Sequence, residues 1–351
     1  MKITSRLTSW ILTAVGAIAL GAAIVACGVM KSHDRSAQTP PTTVTIRAAA
    51  PSLTIGVPLT MIANRIDRAH GVAVDLQAFG TSSTISIDAV LAGQALFGSV
   101  GTLTALQAIR QGADLRIIAA VVNNVQVMVI RDDVAQRLGV SPIAPIAERV
   151  RALRGLIVAT GAVGSTHYQI LRSYLLQYGL NPDKDVRLVG IAEPSALVSG
   201  LEQRRFDAIA YASPLVEFAI ARGVGQVWIS GPRGDIPGSD NIKTSLIVAR
   251  TETLERNREQ VDALRAALTD ALRAVQSERV ATGQRLHEKY FADLEGGVWE
   301  TAWNATTTAY PANLAFTRQA YDYWIANDPR GAESYKNVDY AQITYARAQS
   351  Q

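Results

Sequence analysis

The sequence predicts an α/β protein built from two similar lobes in tandem, each with a mostly parallel sheet. Short apolar runs alternate with helical patterns along most of the chain, which is typical of βα units. The order and spacing of these elements after Gly155 reproduce those after Val44. Two pairs of segments hold matching places: FGSVGT (97–102) opposite AIAYAS (208–213), and QAIRQGADLRII opposite FAIARGVGQVWI. Such an internal repeat indicates two structural units of the same kind.

The apolar runs predict the strands, and the helical patterns between them predict the helices. In the first repeat, strands are placed at residues 44–48, 72–78, 96–100, 115–122 and 126–130, and helices at 59–69, 85–92 and 103–111. In the second repeat, strands are placed at 156–159, 186–191, 206–211 and 226–230, and helices at 166–178, 196–203 and 215–222. Glycine, serine or threonine follows most strands, as expected for a turn from a strand into a helix.

The N-terminus has the composition of a secretory signal peptide, which we assign to residues 1–26. Lys2 and Arg6 precede an apolar run, and the sequence IVAC (24–27) resembles a lipobox. Cys27 is therefore expected to carry a lipid, with residues 27–43 forming a lipid-anchored tether. The alternative is an uncleaved anchor, because the apolar run is long enough to span a bilayer. In both cases, the folded part is expected on the periplasmic or cell-surface side of the inner membrane.

Composition and charge argue against several classes of protein. Hydrophobic residues make up 48% of the 351 residues and charged residues 18%, a globular mixture. The net charge is +4, but Lys and Arg are scattered rather than interleaved with aromatic residues, so no nucleic-acid partner is expected. Cys27 is the only cysteine, which excludes an intramolecular disulfide and a cysteine-rich metal site.

The stretch 155–180 is the most informative part of the chain for function. A buried strand, a turn of small residues and a helix start follow one another there, so free backbone N–H groups and the hydroxyls of Ser165 and Thr166 point at one place. Such a place favours an anion or a polar ligand oxygen. An ordinary strand-to-helix connection without a ligand is the alternative.

Short polar side chains also follow the other predicted strands. Ligands of such sheets bind beyond the carboxyl ends of the strands, so these side chains are candidate ligand contacts, with helix capping as the alternative. The candidate ligand-binding residues are Ser82, Ser83, Ser99, Thr102, Asn123, Ser165, Thr166, Glu193 and Ser213. Glu193 fits a ligand that carries an amine or amide N–H, or equally a favourable charge at a helix N-terminus. Asn123 fits a ligand contact or a cap of the crossover that follows its strand.

The sequence shows no catalytic or metal-binding motif. The four histidines, which lack metal-ligand spacing, are His33, His70, His167 and His287. Neither H-E-x-x-H, C-x-x-C nor a complete glycine-rich nucleotide motif occurs. Ser165 and His167 lie two residues apart at a helix start and do not face each other, which argues against a Ser/His dyad. A non-enzymatic protein without metal or cofactor is expected.

Several long stretches resemble a known family. They are IDAVLAGQALFGSVGTLTALQAIRQGADLRIIAAV, LRGLIVATGAVGSTHYQILRSYLLQYGLNPDKDVRLV, LEQRRFDAIAYASP and NVDYAQI. Together they resemble the ABC-transporter solute-binding proteins of the nitrate, sulfonate/taurine and thiamine-precursor-like group, over most of residues 44–344. One departure is Leu96, which stands where the family's Gly-x-x-Asp-Phe-Gly has its acid; the counterpart in the second repeat, Asp207, is kept.

The resemblance implies a type II periplasmic binding fold, a clamshell whose lobes close about a two-stranded hinge. The first lobe would comprise residues 44–130 plus 232–351 and the second lobe residues 131–231, with crossovers at 126–130 and 231–245. The implied function is capture of a small organic solute with an oxyanion group, such as a sulfonate, taurine, nitrate or a carboxylate. The implied partners are an ABC permease and its ATPase, with the protein itself a monomer.

Two alternatives to that function remain open at this point. One is a binder of a thiamine-precursor-like pyrimidine or another aromatic solute. The other is a ligand-sensing relative of the same fold that acts on a receptor. The late aromatic residues could form a sugar platform, but their helical spacing favours packing onto the first lobe. These residues are Trp299, Trp303, Tyr310, Phe316, Tyr321, Tyr323 and Trp324.

Overall fold

Ten strands form two five-stranded sheets in the part of the chain that the structure describes. The computed structural model describes residues 41–48, 52–78 and 83–346. In chain order, the strands are β1 (Thr42–Ala48), β2 (Val72–Ala78), β3 (Phe97–Gly101), β4 (Arg116–Val122), β5 (Gln126–Arg131), β6 (Ile157–Gly161), β7 (Arg187–Ile191), β8 (Ala208–Ala212), β9 (Gly225–Ser230) and β10 (Ser245–Ala249). Every predicted strand is found, with small shifts at the ends.

Both sheets have the same topology. The first has the strand order β2-β1-β3-β10-β4 and the second the order β7-β6-β8-β5-β9. In each sheet, one strand runs against the other four: β10 is antiparallel to β3 and β4, and β5 is antiparallel to β8 and β9. This equivalence confirms the predicted tandem repeat of two mostly parallel sheets. We call the part built on the first sheet the first lobe and the part built on the second sheet the second lobe.

The strand β5 differs from the sequence-based assignment, which placed residues 126–130 in the first lobe. It pairs only within the second sheet, so the chain passes between the lobes at residues 123–125. All six β5 residues are buried, because the strand lies inside its sheet with both faces covered. A continuous apolar run does not indicate which sheet the strand joins. The boundary between the two lobes could therefore not be placed from the sequence.

The described residues contain fifteen α-helices. They are α1 (Gly56–Ala63), α2 (Ile66–Ala69), α3 (Ser83–Leu91), α4 (Thr102–Arg110), α5 (Asp132–Leu138), α6 (Ile146–Arg151), α7 (Thr166–Gln177), α8 (Ser195–Glu202), α9 (Leu215–Ala221), α10 (Thr251–Arg256), α11 (Arg258–Ser277), α12 (Arg279–Tyr290), α13 (Gly296–Thr307), α14 (Arg318–Ala326) and α15 (Tyr340–Ile343).

The helix predicted at 59–69 is interrupted. Helix α1 ends at Ala63 and α2 begins at Ile66, because Arg65 has a left-handed backbone with φ of 57°. The break turns α2 back over the first sheet, where the Asp67 carboxylate accepts a hydrogen bond from the Val74 N–H at 2.9 Å. No glycine or proline marks this break, so the apolar periodicity predicted one continuous helix.

The late aromatic residues belong to the core, as their spacing predicted. Trp299 and Trp303 are buried with residues of β1 and β4, and their rings stack at 5.9 Å. Their indole N–H groups donate to the carbonyls of Gly283 and Arg279 in α12. A sugar platform is therefore not available on these two rings. Within the described residues, no helix combines the length and apolarity needed to cross a membrane.

The two crossovers between the lobes lie side by side. Residues 123–125 form the first, and residues 231–244 form the second. Lys243 donates to the Asn123 side chain at 2.6 Å, and the Thr244 hydroxyl donates to the Asn123 carbonyl at 2.5 Å. The Trp324 indole N–H donates to the Lys243 carbonyl at 2.7 Å, which ties the second crossover to the first lobe. Adjacent crossovers of this kind permit a hinge motion of one lobe against the other.

Candidate functional site

A cleft of about 790 Å³ lies between the two lobes. Its walls come from the carboxyl ends of β3, β6, β7 and β8 and from the loops and helix starts that follow them. The repeat places the same edge of both sheets on this cleft, so the residues after each strand face one another across it. Ligands of doubly wound sheets bind at this position.

The two lobes touch at the floor of the cleft, where Gly101 of β3 lies against Thr166 of α7. A Cβ atom at position 101 would overlap the Thr166 hydroxyl and would lie 3.3 Å from the Ser83 Oγ. The Gly101 N–H donates to that same Ser83 Oγ at 2.8 Å. Only glycine therefore leaves room for the lobes to approach this closely.

Four side-chain hydroxyls line the cleft on β3 and at the starts of α3 and α7, and we call Ser83, Ser99, Ser165 and Thr166 the hydroxyl cluster. Ser83 and Ser165 each use an oxygen lone pair, accepting from the Gly101 N–H and the Tyr168 N–H, so their protons remain available for donation. Ser99 Oγ and Thr166 Oγ1 are buried and have no partner among the described residues. The four hydroxyls can each donate a hydrogen bond, so the cluster suits a ligand with acceptor oxygens.

Helix α7 reinforces this preference. Ser165 is its N-cap, and the twelve-residue helix points its N-terminal end at the cleft. The first N–H groups of a helix lack intrahelical partners and carry a partial positive charge. A negatively charged oxygen held by the hydroxyl cluster therefore gains from the helix as well.

The described side chains that line the cleft are not ionic. Among the described residues that line it, none is Asp, Glu, Lys or Arg. The one titratable ring near neutrality, His167, is uncharged at pH 7, because burial lowers its pKa to about 4. An anion in this cleft would be held by neutral hydrogen-bond donors, and a doubly charged group would lack a cation to offset its desolvation.

His167 and Tyr211 form a ring pair on the wall of the second lobe. Their ring centroids lie 4.3 Å apart, and the His167 Nδ1 is 3.1 Å from the side-chain oxygen of Gln126. Burial, and to a smaller extent the negative charge of Glu193, raises the pKa of Tyr211 to about 12. Both rings are therefore neutral at pH 7.

The neutral state of His167 predicts a pH-dependent stability. Its pKa is lower in the folded protein than its ordinary value near 6.5, so only the unfolded chain takes up a proton as the pH falls from 6.5 to 4. This removes up to about 3 kcal/mol from the free energy of unfolding, and nothing is lost above pH 6.5. Urea unfolding between pH 7 and pH 4 measures the effect. His167→Gln should flatten the profile relative to wild type, whereas parallel profiles would contradict it.

Five of the candidate residues line the cleft: Ser83, Ser99, Ser165, Thr166 and Ser213. The Ser213 hydroxyl, however, is turned away, because it donates to the buried carboxylate of Glu217 at 2.8 Å. Ser82 and Cys27 lie outside the described residues.

Three candidate residues do not line the cleft. Thr102 is completely buried behind the wall. The Asn123 side chain accepts a hydrogen bond from Lys243 in the crossover. This contact agrees with the structural role predicted for Asn123. Glu193 is exposed and accepts a hydrogen bond from the Ser195 hydroxyl at 3.1 Å, just before α8. This position agrees with its predicted role as a negative charge at a helix N-terminus.

Sequence reasoning missed several lining residues. Thr104 and Gln107 lie three residues apart on α4 and so share one helix face. This spacing could have predicted that both residues line the cleft. Gln107 donates to the carboxylate of Asp328 at 3.0 Å, which leaves its carbonyl oxygen as an acceptor. Leu215 and Phe218 have the same spacing on α9, where an apolar face is indistinguishable from core.

A model of the NMT1-like family matches residues 39–286, more than half of the chain. No curated protein sequence matches the chain significantly. Within residues 41–48, 52–78 and 83–346, no three His, Asp or Glu side chains come together as the ligands of a metal ion would.

Solved structures of solute-binding proteins share the fold. The alkanesulfonate-binding protein SsuA of Xanthomonas axonopodis pv. citri, bound to MOPS, is 16% identical, with a TM-score of 0.64 over 89% of this chain and 96% of that one. The periplasmic nitrate-binding protein NrtA of Synechocystis PCC 6803 is 18% identical, with a TM-score of 0.58 over 74% and 69%. The ligand-binding component of an ABC-type import system of Staphylococcus aureus, with zinc bound, is 13% identical, with a TM-score of 0.69 over 88% and 98%. All three are described as binding proteins or as the ligand-binding component of an import system.

Proposed function

The chain belongs to the NMT1-like family, and we propose that it is an extracytoplasmic solute-binding protein. It captures a small organic solute by an oxyanion group in the cleft between the lobes and delivers it to an ABC permease and ATPase. The hydroxyl cluster carries the proposal, because four donors and a helix N-terminus line one cleft, and none of the described residues that line it is a carboxylate.

The size of the cleft supports an organic solute. A volume of about 790 Å³ lies within the range of sites for small organic molecules. An inorganic ion such as nitrate would occupy the hydroxyl cluster and leave most of the cleft filled with water. An uncharged heteroaromatic solute is the second candidate, since no charged side chain faces the cleft among its described lining residues.

The proposed delivery route accounts for the N-terminus. We assign residues 1–26 to a signal peptide and Cys27 to a lipid anchor, so that the folded part is held as a monomer on the outer side of the inner membrane. Mass spectrometry of the protein from membranes tests this assignment. It should find a lipid on Cys27 and no residues before it.

Ligand binding by the full-length protein tests the function. Thermal unfolding is followed with alkanesulfonates, arylsulfonates, taurine, carboxylates, nitrate and pyrimidines. A ligand at about 100 times its Kd adds roughly 2.7 kcal/mol to the free energy of unfolding. We expect stabilisation by an organic oxyanion and its loss in Ser99→Val, which fills the cluster with methyl groups. A pyrimidine as the only ligand would favour the second candidate. Binding that survives Ser99→Val unchanged would place the site elsewhere.

A further inference from the structure

The two walls of the cleft differ in chemistry. The wall of the first lobe is lined mainly by hydroxyl and amide side chains, which are Ser52, Thr54, Ser83, Ser99, Thr104 and Gln107. The wall of the second lobe presents apolar and aromatic surface, from Ile191, Pro194, Tyr211, Pro214, Leu215 and Phe218. A ligand that fills the cleft meets a polar surface on one side and an apolar surface on the other.

The second lobe has polar side chains at the cleft, but they do not make its wall as polar as that of the first lobe. The Ser213 hydroxyl donates to Glu217, behind the wall. The Ser165 oxygen caps α7 by accepting from the Tyr168 N–H at 3.3 Å, and with Thr166 it belongs to the hydroxyl cluster at the contact between the lobes. Away from that contact and from Ser213, the polar side-chain atoms that line the second lobe belong to the neutral Tyr211 and His167 rings, and the other lining side chains are apolar.

The apolar wall is rich in rings. Tyr211 is backed by His167 at 4.3 Å, which keeps the Tyr211 ring in place. Phe218 and Leu215 stand on one face of α9, and α9 packs on the second sheet through Val216 and Ala219. Flat, fixed ring surfaces favour stacking with a flat partner, beyond the gain from burying apolar area.

From this segregation, and resting on the proposed function, we infer that the solute is an aromatic monoanion. Its single oxyanion group binds the hydroxyl cluster, and its ring packs against Tyr211, Leu215 and Phe218. Arylsulfonates and arylcarboxylates have this chemistry. Closure of the second lobe then covers the ring, so the apolar wall selects the body of the solute while the hydroxyl cluster selects its head.

Calorimetry with two pairs of probes tests the inference. Benzenesulfonate is compared with methanesulfonate, and benzoate with acetate, because each pair shares a head and differs in the ring. The full-length wild-type protein should bind the aromatic member of at least one pair at least tenfold more tightly. Phe218→Ala should remove most of that preference, and Phe218→Leu, which keeps an apolar side chain at this position, should remove part of it.

Phe206→Leu is the matched control. Phe206 packs against the same core of the second lobe but does not line the cleft, so the preference for the ring should stay as in wild type. Equal binding of the aromatic and aliphatic members would overturn the inference and leave the proposed function standing. No binding of any of the four, with no response to the wider set of solutes, would overturn both.

Discussion

Replacing Gly101 by valine should abolish solute binding while leaving both lobes folded. The new side chain would occupy the space of the Thr166 hydroxyl and press on Ser83 Oγ, at the point where the two lobes meet. The lobes would then be held apart, and the hydroxyl cluster would no longer converge on one oxyanion. We expect the affinity for the best solute to fall at least 100-fold, measured by calorimetry.

Compensation by a second change distinguishes this steric mechanism from a general loss of structure. Gly101→Ala overlaps the Thr166 hydroxyl, and Thr166→Ala removes that hydroxyl, leaving the Thr166 Cβ 3.4 Å from the new methyl group. The double variant should therefore bind better than Gly101→Ala alone. Gly297→Ala is the control, because a Cβ there meets nothing within 4 Å. Full affinity of Gly101→Val would show that the lobes need not approach at this point.

Removing the Asp235 carboxylate should cause the largest loss of stability. Asp235 accepts from Arg149 at 2.8 Å and from the Ser230 N–H at 2.9 Å, and it also pairs with Arg233. Arg149 is buried and donates in addition to the Trp228 carbonyl at 2.6 Å. Asp235→Ala leaves a buried guanidinium without its counter-ion, which costs about 3–5 kcal/mol of unfolding free energy in urea titrations.

An exposed ion pair provides the matched control for Asp235. Asp322 accepts from Arg318 at 2.8 Å one turn away on α14, and both side chains are more than half exposed. Asp322→Ala should therefore change the free energy of unfolding by about 0.5 kcal/mol or less. Similar losses in the two variants would contradict the structural role assigned to Asp235.

The pH dependence of Asp235 has a defined sign. Burial by itself would raise the pKa of this carboxyl, but hydrogen bonds from Arg233 and Arg149 outweigh burial and hold the pKa below its ordinary value. Its contribution to stability is therefore complete at neutral pH and is lost as the pH falls below about 4. This acid loss should be absent from Asp235→Ala.

Local patterns predicted the elements and the repeat but not their pairing. The strand positions follow from short apolar runs, and the tandem repeat follows from the equal spacing of those runs. Strand β5 was assigned to the wrong lobe, because which sheet a buried strand joins depends on partners more than 70 residues away. The break at Arg65 was also invisible, since it comes from packing over the first sheet rather than from a helix-breaking residue.

The sequence predicted the position of the candidate site better than it predicted which residues line it. The carboxyl ends of the strands correctly pointed to Ser83, Ser99, Ser165 and Thr166 as residues on the cleft. The direction of each side chain could not be predicted, so Thr102, one residue after Gly101, was included although it is buried and does not line the cleft. The apolar wall was missed because Phe218 looks like a core residue in one sequence.

A crystal structure of the full-length protein with its tightest solute tests whether the hydroxyl cluster binds the oxyanion. We expect one oxyanion group between the lobes, with its oxygens about 2.6–3.0 Å from hydroxyls of Ser83, Ser99, Ser165 or Thr166, and no Lys or Arg in contact with it. An oxyanion bound by a cationic side chain, or a solute bound outside the cleft, would contradict it.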